Sequence, residues 1–203
     1  MYKESLYPKT EQVLEEVERK LVLKDFYLAG GTALALQLGH RKSIDLDFFS
    51  DHFPKIDLIK QSFATYNPQI MHEAHGTIDM VVDDIKVSFL EYKYPLLEPL
   101  IQFETIKLCS VRDIACMKIS AISSRGSKKD FIDMFHILKT MSFQDIMDSF
   151  HKKYENVTYQ ETHIMKSMVY FEDAEQDPDP DYLVPTDWQE VKKVITGEVK
   201  HFI

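Results

Sequence analysis

Apolar and polar positions change their spacing along the chain, and this change separates two kinds of sequence. The first half mixes short apolar runs, which predict strands, with apolar residues three and four apart, which predict amphipathic helices. The predicted strands are residues 26–29, 44–49, 69–71, 77–82 and 85–92. The predicted helices of this half begin near Thr10, Thr32 and Pro54, each a residue type typical of a helix start.

From Ser110 onward the apolar residues keep a helical spacing, and strand-like runs are absent from the pattern. The predicted helices are residues 110–124, 127–140, 143–153, 159–174 and 186–200. We therefore predict an α+β protein whose mixed sheet, flanked by helices, occupies residues 1–105. A helical region is predicted to occupy residues 106–203.

The composition is that of a folded globular protein. Hydrophobic residues make up 44% of the 203 positions and charged residues 28%, so the chain can bury a sizeable core. The first residues lack a signal-peptide pattern, and no apolar run approaches the roughly 20 residues of a membrane helix, which predicts a cytoplasmic protein without membrane contact. Cys109 and Cys116 are interpreted as two core thiols in a reducing compartment rather than a disulfide or zinc site.

The net charge of −9 argues against broad, sequence-independent binding of nucleic acid, so we expect no DNA partner. One stretch reverses this sign, since it carries six cations against a single carboxylate, Asp113. The cations are Lys107, Arg112, Lys118, Arg125, Lys128 and Lys129. This stretch leaves room for a local basic pocket.

A predicted strand, the turn Gly30-Gly31-Thr32 and a predicted helix follow one another directly. Two glycines let the backbone approach a bulky anion, and the helix start offers unpaired N–H groups and the positive end of its dipole. The pattern therefore favours phosphate binding. The alternative is a tight turn with no ligand.

Asp45 and Asp47 stand two residues apart on the next predicted strand, so both carboxylates point to one face. Such a pair can hold one or two Mg²⁺ ions, which prefer oxygen ligands, and a two-metal site can assist phosphoryl transfer. A solvated strand face is the simpler interpretation of an isolated Asp-x-Asp. The close succession of glycine turn, Arg41, Ser43 and the two aspartates favours a site.

These segments together resemble the AbiEii/AbiGii toxin family of nucleotidyltransferases, a branch of the DNA polymerase β-like superfamily. The resemblance rests first on residues 28–35 (LAGGTALA) and 41–49 (RKSIDLDFF). Residues 110–122 (SVRDIACMKISAI), 125–133 (RGSKKDFID) and 170–175 (YFEDAE) are similar to later parts of the same family. The resemblance extends over residues 25–190. It implies a polymerase β-like nucleotidyltransferase core, with the helical region completing the active-site cleft.

The resemblance also implies roles for individual residues. Gly30, Gly31 and Thr32 would cradle the nucleoside triphosphate, and Asp45 and Asp47 would bind Mg²⁺. Lys118 matches the family's active-site lysine, with its charge directed at the triphosphate. The last acidic site residue falls on Asp130 or Asp133, and we predict Asp130. Arg41 is expected to reach a phosphate and Ser43 to orient the first carboxylate.

The sequence departs from the superfamily pattern at one position. Polymerase β-like enzymes usually take a third metal-site carboxylate from a strand of the central sheet, and here that position is Ser88. Glu91 lies three residues further on, so strand alternation predicts that it points to the opposite face. The missing carboxylate puts turnover in doubt.

Three functions are compatible with these patterns. The first is Mg²⁺-dependent transfer of a nucleotidyl group from a nucleoside triphosphate to an acceptor hydroxyl, with an RNA end, especially a tRNA 3′ end, as the acceptor. The resemblance then implies the toxin of a toxin–antitoxin or phage-defence pair, with a cognate antitoxin as partner. The second is a non-catalytic nucleotide-binding or interaction module, which Ser88 favours. The third is a kinase-like phosphotransferase that uses the same pocket.

Overall fold

The computed structural model describes residues 1–202 of the chain. Their contacts form two compact units, which are described separately. The sheet unit comprises Met1–Pro95 and Pro99–Cys109, and the helical unit comprises Leu96–Glu98 and the chain from Ser110 onward. Within the described residues, no helix is long and apolar enough to cross a membrane.

The sheet unit is built on seven strands in the order β3-β4-β5-β2-β1-β7-β6. Their bounds are Tyr27–Ala29 (β1), Leu46–Ser50 (β2), Gln69–Ala74 (β3), Thr77–Val82 (β4), Ile85–Glu91 (β5), Ile101–Phe103 (β6) and Ile106–Leu108 (β7). The β2–β5 and β1–β7 pairs are parallel, and the other neighbouring strands are antiparallel. The sheet is therefore mixed, as the sequence predicts.

The helices of this unit are Pro8–Glu18 (α1), Gly30–Leu38 (α2) and Ile56–Phe63 (α3). The two predicted caps are wrong. Tyr7 precedes α1 and Pro8 opens it, because the fixed φ of proline suits a first helical position, and Thr10 lies buried inside the helix. Ala29 precedes α2, which already begins at Gly30, so Thr32 also lies within its helix.

Two hairpins show where local sequence does and does not determine strand pairing. Asp83 and Asp84 both have positive φ, +48° and +64°, which suits the two-residue turn that joins β4 and β5 into a hairpin. The β6–β7 hairpin was not predicted, because each of its strands has only three residues. It joins the sheet through the parallel pairing of Leu28 with Leu108.

One face of the sheet carries the aromatic core. Phe89 of β5 contacts Phe26, Phe48 and Phe63, with ring centroids 5.3 to 5.8 Å apart. All four side chains are buried, and α3 contributes Phe63 to the cluster. Burial of side chains of this size contributes roughly 1.5–3 kcal/mol each, so the cluster fixes this face as the interior. The opposite face carries Asp47 and Ser88 together with the stacked pair Tyr27 and Phe49.

The helical unit contains six helices. Their bounds are Val111–Ser124 (α4), Lys128–Ile137 (α5), Phe143–Lys153 (α6), Glu161–Met168 (α7), Glu172–Glu175 (α8) and Trp188–Phe202 (α9). The helix predicted over residues 159–174 is instead two, separated by Val169–Phe171. The other four predicted helices are confirmed, with ends that shift by at most three residues.

Asp113 connects two separate segments of the helical unit. Its carboxylate accepts hydrogen bonds from the backbone N–H groups of Leu97 and Glu98, at 2.9 to 3.2 Å, and from the hydroxyl of Ser110. Lys153 forms a buried ion pair with it, with Nζ 2.7 Å from Oδ1. These bonds explain why Leu96–Glu98 belong to the helical unit.

Cys116 behaves as a core residue. It is free and buried within α4, and burial raises the pKa of its thiol to about 12. A thiol with so high a pKa is a poor nucleophile and metal ligand. Cys109 is buried as well, so the interpretation of both cysteines as core residues agrees with their placement.

Candidate functional site

The glycine turn lies directly against a carboxylate. Gly30 has a φ of +64°, and a Cβ at this position would lie 2.7 Å from Oδ2 of Asp47. A side chain here would therefore be strained twice, once by the backbone conformation and once by the clash. The absence of a Cβ at residue 30 leaves the Asp47 carboxylate beside the start of α2, which no side chain caps.

A buried arginine lies on the other side of the turn. A Cβ on Gly31 would fall 2.5 Å from Nη2 of Arg41 and 3.6 Å from the hydroxyl of Ser43. The Arg41 side chain is buried, and its Nη1 donates to the carbonyl of Lys42 at 2.9 Å. The structure thus gathers the glycine turn, a guanidinium group and a carboxylate at one end of the sheet unit.

Thr32 positions the segment that carries the first carboxylate. Its buried hydroxyl is hydrogen-bonded to the hydroxyl of Ser43 at 2.8 Å and donates to the main-chain carbonyl of Asp45. Asp45 lies one residue before β2 rather than within it, and its side chain is half-buried. The hydrogen bond from the Thr32 hydroxyl therefore fixes the backbone segment that carries this carboxylate.

The strand register determines the neighbours of Asp47. Its partners are Ala29 on β1 and Ser88 on β5, and Ser88 is buried. Ser88 thus stands beside Asp47 on the same face, where the superfamily pattern leads us to expect a third acid. Glu91 pairs with Ser50, which lies on the opposite face from Asp47, as strand alternation predicts.

A carboxylate that the sequence reasoning missed lies one strand further out. Asp79 of β4 is the register partner of Ser88, and its carboxylate is 3.7 Å from the ammonium group of Lys86. Asp47, Ser88 and Asp79 therefore form one cross-strand row. The two-residue turn at Asp83-Asp84 could have revealed this, because it fixes which residues of β4 and β5 face each other.

The donor set suits a hard divalent cation. Asp45 and Asp47 offer carboxylate oxygens, the ligands that Mg²⁺ prefers, and the space beside Asp47 is the space that a Cβ on Gly30 would fill. Over residues 1–202, no group of three or more His, Cys, Asp or Glu side chains could hold a metal ion. The two aspartates would therefore share the ion with water and ligand oxygens, as Mg²⁺ sites commonly do.

The helical unit brings Lys118 and Asp130 together. Nζ of Lys118 lies 2.9 Å from Oδ1 of Asp130 and 2.6 Å from Oδ2 of Asp133. Both carboxylates are fully buried, while Lys118 keeps 7% of its side chain exposed. Arg125, which is 67% exposed, donates to Asp130 from Nε at 2.9 Å and from Nη2 at 3.1 Å. Two cations thus balance two carboxylates.

The ionic surroundings keep Asp130 charged. Burial raises the pKa of this carboxyl, but Lys118 and the Arg125 hydrogen bonds outweigh that effect and hold the pKa well below its usual range. The Ser127 hydroxyl also donates to Asp130, at 2.8 Å. Asp130 is therefore an anion at neutral pH. Asp133 is the second carboxylate that contacts Lys118. It lies three residues after Asp130 on α5, and residues three apart on a helix share a face, so the sequence spacing indicates this contact.

Comparison with known proteins agrees with the resemblance seen in the sequence. The model of the AbiEii family, described as the nucleotidyl transferase AbiEii toxin of type IV toxin–antitoxin systems, matches residues 12–98 and 77–201. The chain belongs to the AbiEii family. This AbiEii-family protein is also 36% identical over 199 residues to an uncharacterized protein of Aquifex aeolicus (strain VF5). The aligned residues cover 95% of each chain.

Solved structures share the fold at low sequence identity. MenT4, a nucleotidyltransferase toxin of Mycobacterium tuberculosis H37Rv, superposes with a TM-score of 0.61 at 14% identity, over 92% of this chain and 80% of that one. The antibiotic-resistance factor ANT(2'')-Ia gives a TM-score of 0.54 at 13% identity, over 70% of this chain and 90% of that one. The AbiEii-family protein thus has the nucleotidyltransferase fold, as predicted.

Proposed function

We propose that this AbiEii-family protein transfers a nucleotidyl group from a nucleoside triphosphate to a hydroxyl at the 3′ end of an RNA, with tRNA as the favoured acceptor. The observation that carries this proposal is the convergence of the Gly30-Gly31 turn, the buried Arg41 and the Asp47 carboxylate. Family membership supports nucleotidyl transfer in general. The RNA acceptor follows from the resemblance to nucleotidyltransferase toxins.

The residues of the sheet unit have separate tasks in this proposal. The Gly30-Gly31 turn and the start of α2 would hold the triphosphate, with Arg41 against one phosphate. Asp45 and Asp47 would bind Mg²⁺, which neutralises charge on the triphosphate oxygens. Thr32 is a positioning residue, because its hydroxyl holds the Asp45 backbone.

The transfer itself is a single displacement. The acceptor hydroxyl oxygen forms a bond to the α-phosphorus and passes its proton to solvent water. The bond from the α-phosphorus to the bridging oxygen breaks, and pyrophosphate leaves with that electron pair. Lys118 matches the family's active-site lysine, so its charge would serve the triphosphate, and 7% of its side chain is exposed. Asp130 and Asp133 would fix the position of its ammonium group.

The direct test uses one labelled nucleotide at a time. The full-length protein is incubated with Mg²⁺, total tRNA and a nucleoside triphosphate labelled at the α-phosphate or, in parallel, at the γ-phosphate. We expect α-label in RNA, lost in Asp45→Ala and after chelation of the metal. Transfer of γ-label would instead identify a kinase-like phosphotransferase. Label in neither RNA nor protein would contradict both.

A second function, nucleotide binding without turnover, is favoured by Ser88. This serine occupies the position beside Asp47 in the sheet, so the row Asp47-Ser88 holds one carboxylate rather than two. Titration calorimetry separates the two functions. Mg²⁺-dependent nucleotide binding without label transfer supports the binding module. We expect Ser88→Asp to tighten Mg²⁺ binding, because it adds an oxygen ligand next to Asp47.

The family description also leads us to propose an antitoxin partner and a toxic effect. Expression of the protein alone is then expected to slow bacterial growth, and Asp45→Ala is expected to restore it. Coexpression with the product of a neighbouring small regulator gene is expected to protect the wild type. Equal growth with the wild type and Asp45→Ala would contradict the toxin proposal.

A further inference from the structure

The helical unit contains a cavity that the proposed roles leave unused. Its volume is about 340 Å³, which is within the range of small-ligand sites. The cavity lies between the C-terminal end of α4, the Arg125-Gly126 turn and α7. Its polar lining includes Ser123, Arg125, His163, Lys166, Tyr170 and Asp173.

Most of the cations in the basic stretch between Lys107 and Lys129 do not supply free charge to this cavity. Three cations of that stretch are held in ion pairs: Arg112 with Glu98 at 2.8 Å, Lys118 with two aspartates, and Lys128 with Asp179 at 3.4 Å. Those charges are largely neutralised by close partners. The cations that line the cavity are therefore Arg125, the exposed member of that stretch, and Lys166 of α7.

Two cations at the cavity have charge to offer. The Arg125 guanidinium bonds Asp130 through Nε and Nη2, yet 67% of its side chain is exposed. Lys166 is exposed on α7 and makes no ion pair with any residue that the structure describes. Asp173 is the opposing carboxylate in the lining. Asp130 already balances part of the Arg125 charge, so Lys166 and the exposed part of the Arg125 guanidinium are the groups that favour an anionic ligand here.

The hydrogen-bonding groups also have capacity for a ligand. Nε2 of His163 lies 3.1 Å from the carbonyl oxygen of Ser123, and since a carbonyl can only accept, this nitrogen donates. The Ser123 hydroxyl oxygen is buried and has no hydrogen-bond partner within residues 1–202. A buried hydroxyl without a partner is unusual in a folded protein, and a ligand oxygen in the cavity would satisfy it.

Tyr170 adds an aromatic surface to the lining. Its side chain is 50% exposed, and its hydroxyl donates to Glu172 at 3.2 Å. A half-exposed ring beside basic groups is the arrangement on which single-stranded nucleic acid stacks its bases. A free phosphate ion would use the cations alone, whereas a nucleotide would use the ring as well.

We propose that this cavity binds a phosphate-bearing nucleotide of the RNA acceptor. Arg125 and Lys166 contact its phosphate, the Ser123 hydroxyl donates to an oxygen, and Tyr170 stacks on its base. This inference rests on the proposed function, since it names a binding site for the acceptor of that reaction. Arg125 connects the cavity with Lys118, because its guanidinium bonds Asp130, which in turn bonds Lys118.

The test measures binding of the full-length protein to fluorescent tRNA without nucleotide, as a function of salt. For Lys166→Glu we expect about tenfold weaker tRNA binding and a log–log salt slope reduced by roughly 0.7 to 0.9, the change for one phosphate contact. Lys152→Glu is the matched control, since Lys152 is an exposed lysine on α6 without an ion pair among the described residues. Equal tRNA affinity of Lys166→Glu and Lys152→Glu overturns the proposal.

A second variant pair tests the stacking contact. Tyr170→Ala is expected to weaken tRNA binding about fivefold or more, and Tyr170→Phe to leave it unchanged, because the ring and not the hydroxyl makes the contact. Equal weakening in both variants contradicts the stacking role. The binding of Mg²⁺-nucleotide, measured without RNA, is expected to remain unchanged in every variant. tRNA binding that depends on Lys166 and Tyr170 but occurs without label transfer supports RNA binding at the cavity and contradicts nucleotidyl transfer. Failure of the binding proposal can therefore be distinguished from failure of the proposed reaction.

Discussion

Fully buried aspartates pair with lysines at two places in the helical unit, and these places differ in their access to solvent. Lys153 and Asp113 are both fully buried, and the remaining bonds of Asp113 go to backbone N–H groups and to Ser110. Lys118 retains 7% exposure, and its partner Asp130 is bonded to the largely exposed Arg125. The first pair is closed to solvent, whereas the second connects to the surface.

This difference separates a structural ion pair from a candidate site. A charge pair with every bond satisfied inside the protein can hold segments together but cannot meet a substrate. A pair that connects to an exposed guanidinium can exchange part of its bonding for a ligand. The sequence alone shows two lysines in helical patterns. The contacts show why Lys118 and not Lys153 is the candidate for chemistry.

The largest stability effect is expected at the closed pair. Lys153→Met leaves Asp113 buried without its counter-ion, and breaking a buried pair in this way costs about 3–5 kcal/mol. Urea unfolding of the purified protein measures the change. Lys152→Met, on the exposed neighbour, is expected to change the free energy of unfolding by less than about 0.5 kcal/mol. Similar stability of both variants would show that the pair is not structural.

Lys118→Met is expected to cost about 3 kcal/mol of stability, because Asp133 loses its lysine while Arg125 still bonds Asp130. Its effect on label transfer is expected to be far larger, a loss of 100-fold or more, since the ammonium charge serves the triphosphate in the proposed reaction. Urea unfolding and the label-transfer assay, run on the same preparation, compare the two losses. If Lys118→Met unfolds more easily but transfers label normally, Lys118 is a structural residue like Lys153.

The pH dependence of stability provides the next comparison. The pKa of Asp130 is lowered in the folded state, so its ion pairs stabilise the protein above the ordinary carboxyl value of 3.8 and lose this effect as the pH falls below it. We expect Asp130→Asn to be less stable than the wild type at pH 7 by about 2 kcal/mol, with the difference shrinking below about pH 4. The urea midpoints of the wild type and of Asp130→Asn, taken at pH 7 and again below about pH 4, measure this difference.

Asp148→Asn, on an exposed position of α6, is the control for this experiment. It is expected to follow the wild type at both pH values within about 0.5 kcal/mol. A constant difference between Asp130→Asn and the wild type down to pH 2 would contradict the assignment of a lowered pKa to Asp130.

The smallest stability effect is expected at the glycine turn of the sheet unit. Gly30→Ala places a Cβ at positive φ and 2.7 Å from the Asp47 carboxylate, which we expect to cost about 1–2 kcal/mol. Its main effect is expected on nucleotide binding, about tenfold weaker by calorimetry in the presence of Mg²⁺. Gly197→Ala is the control, since a Cβ there meets nothing within 4 Å. Unchanged nucleotide affinity in Gly30→Ala would exclude the turn from the site.

The sequence predicted those parts of the fold that local patterns determine. Helix α6 was predicted with both ends correct, because Ser142 caps it and its apolar positions keep strict helical spacing. The β6–β7 hairpin was missed, since strands of three residues carry too little pattern to distinguish them from a loop. Its place depends on the distant pairing of Leu28 with Leu108.

The candidate site shows the same limit. The residues of the glycine turn and the aspartate pair are close in sequence, so their spacing and family resemblance indicated them. The contacts of Asp133 with Lys118, and of Asp79 with Ser88, arise from helix packing and strand register. The three-residue spacing of Asp133 from Asp130 and the turn at Asp83-Asp84 indicate these positions, but the partner residues lie on other elements. The role of Thr32 also changed, because its hydroxyl is engaged with Ser43 and the backbone of Asp45.

We propose that the Asp45/Asp47 end of the sheet unit supports metal-dependent nucleotidyl transfer to RNA. The most direct measurement follows α-labelled nucleotide into tRNA with the wild type, Asp47→Asn and Asp148→Asn, at saturating Mg²⁺. We predict labelled tRNA with the wild type and with Asp148→Asn, and a loss of at least 100-fold with Asp47→Asn. Equal labelling by the wild type and a folded Asp47→Asn would show that Asp47 is not needed for nucleotidyl transfer to tRNA.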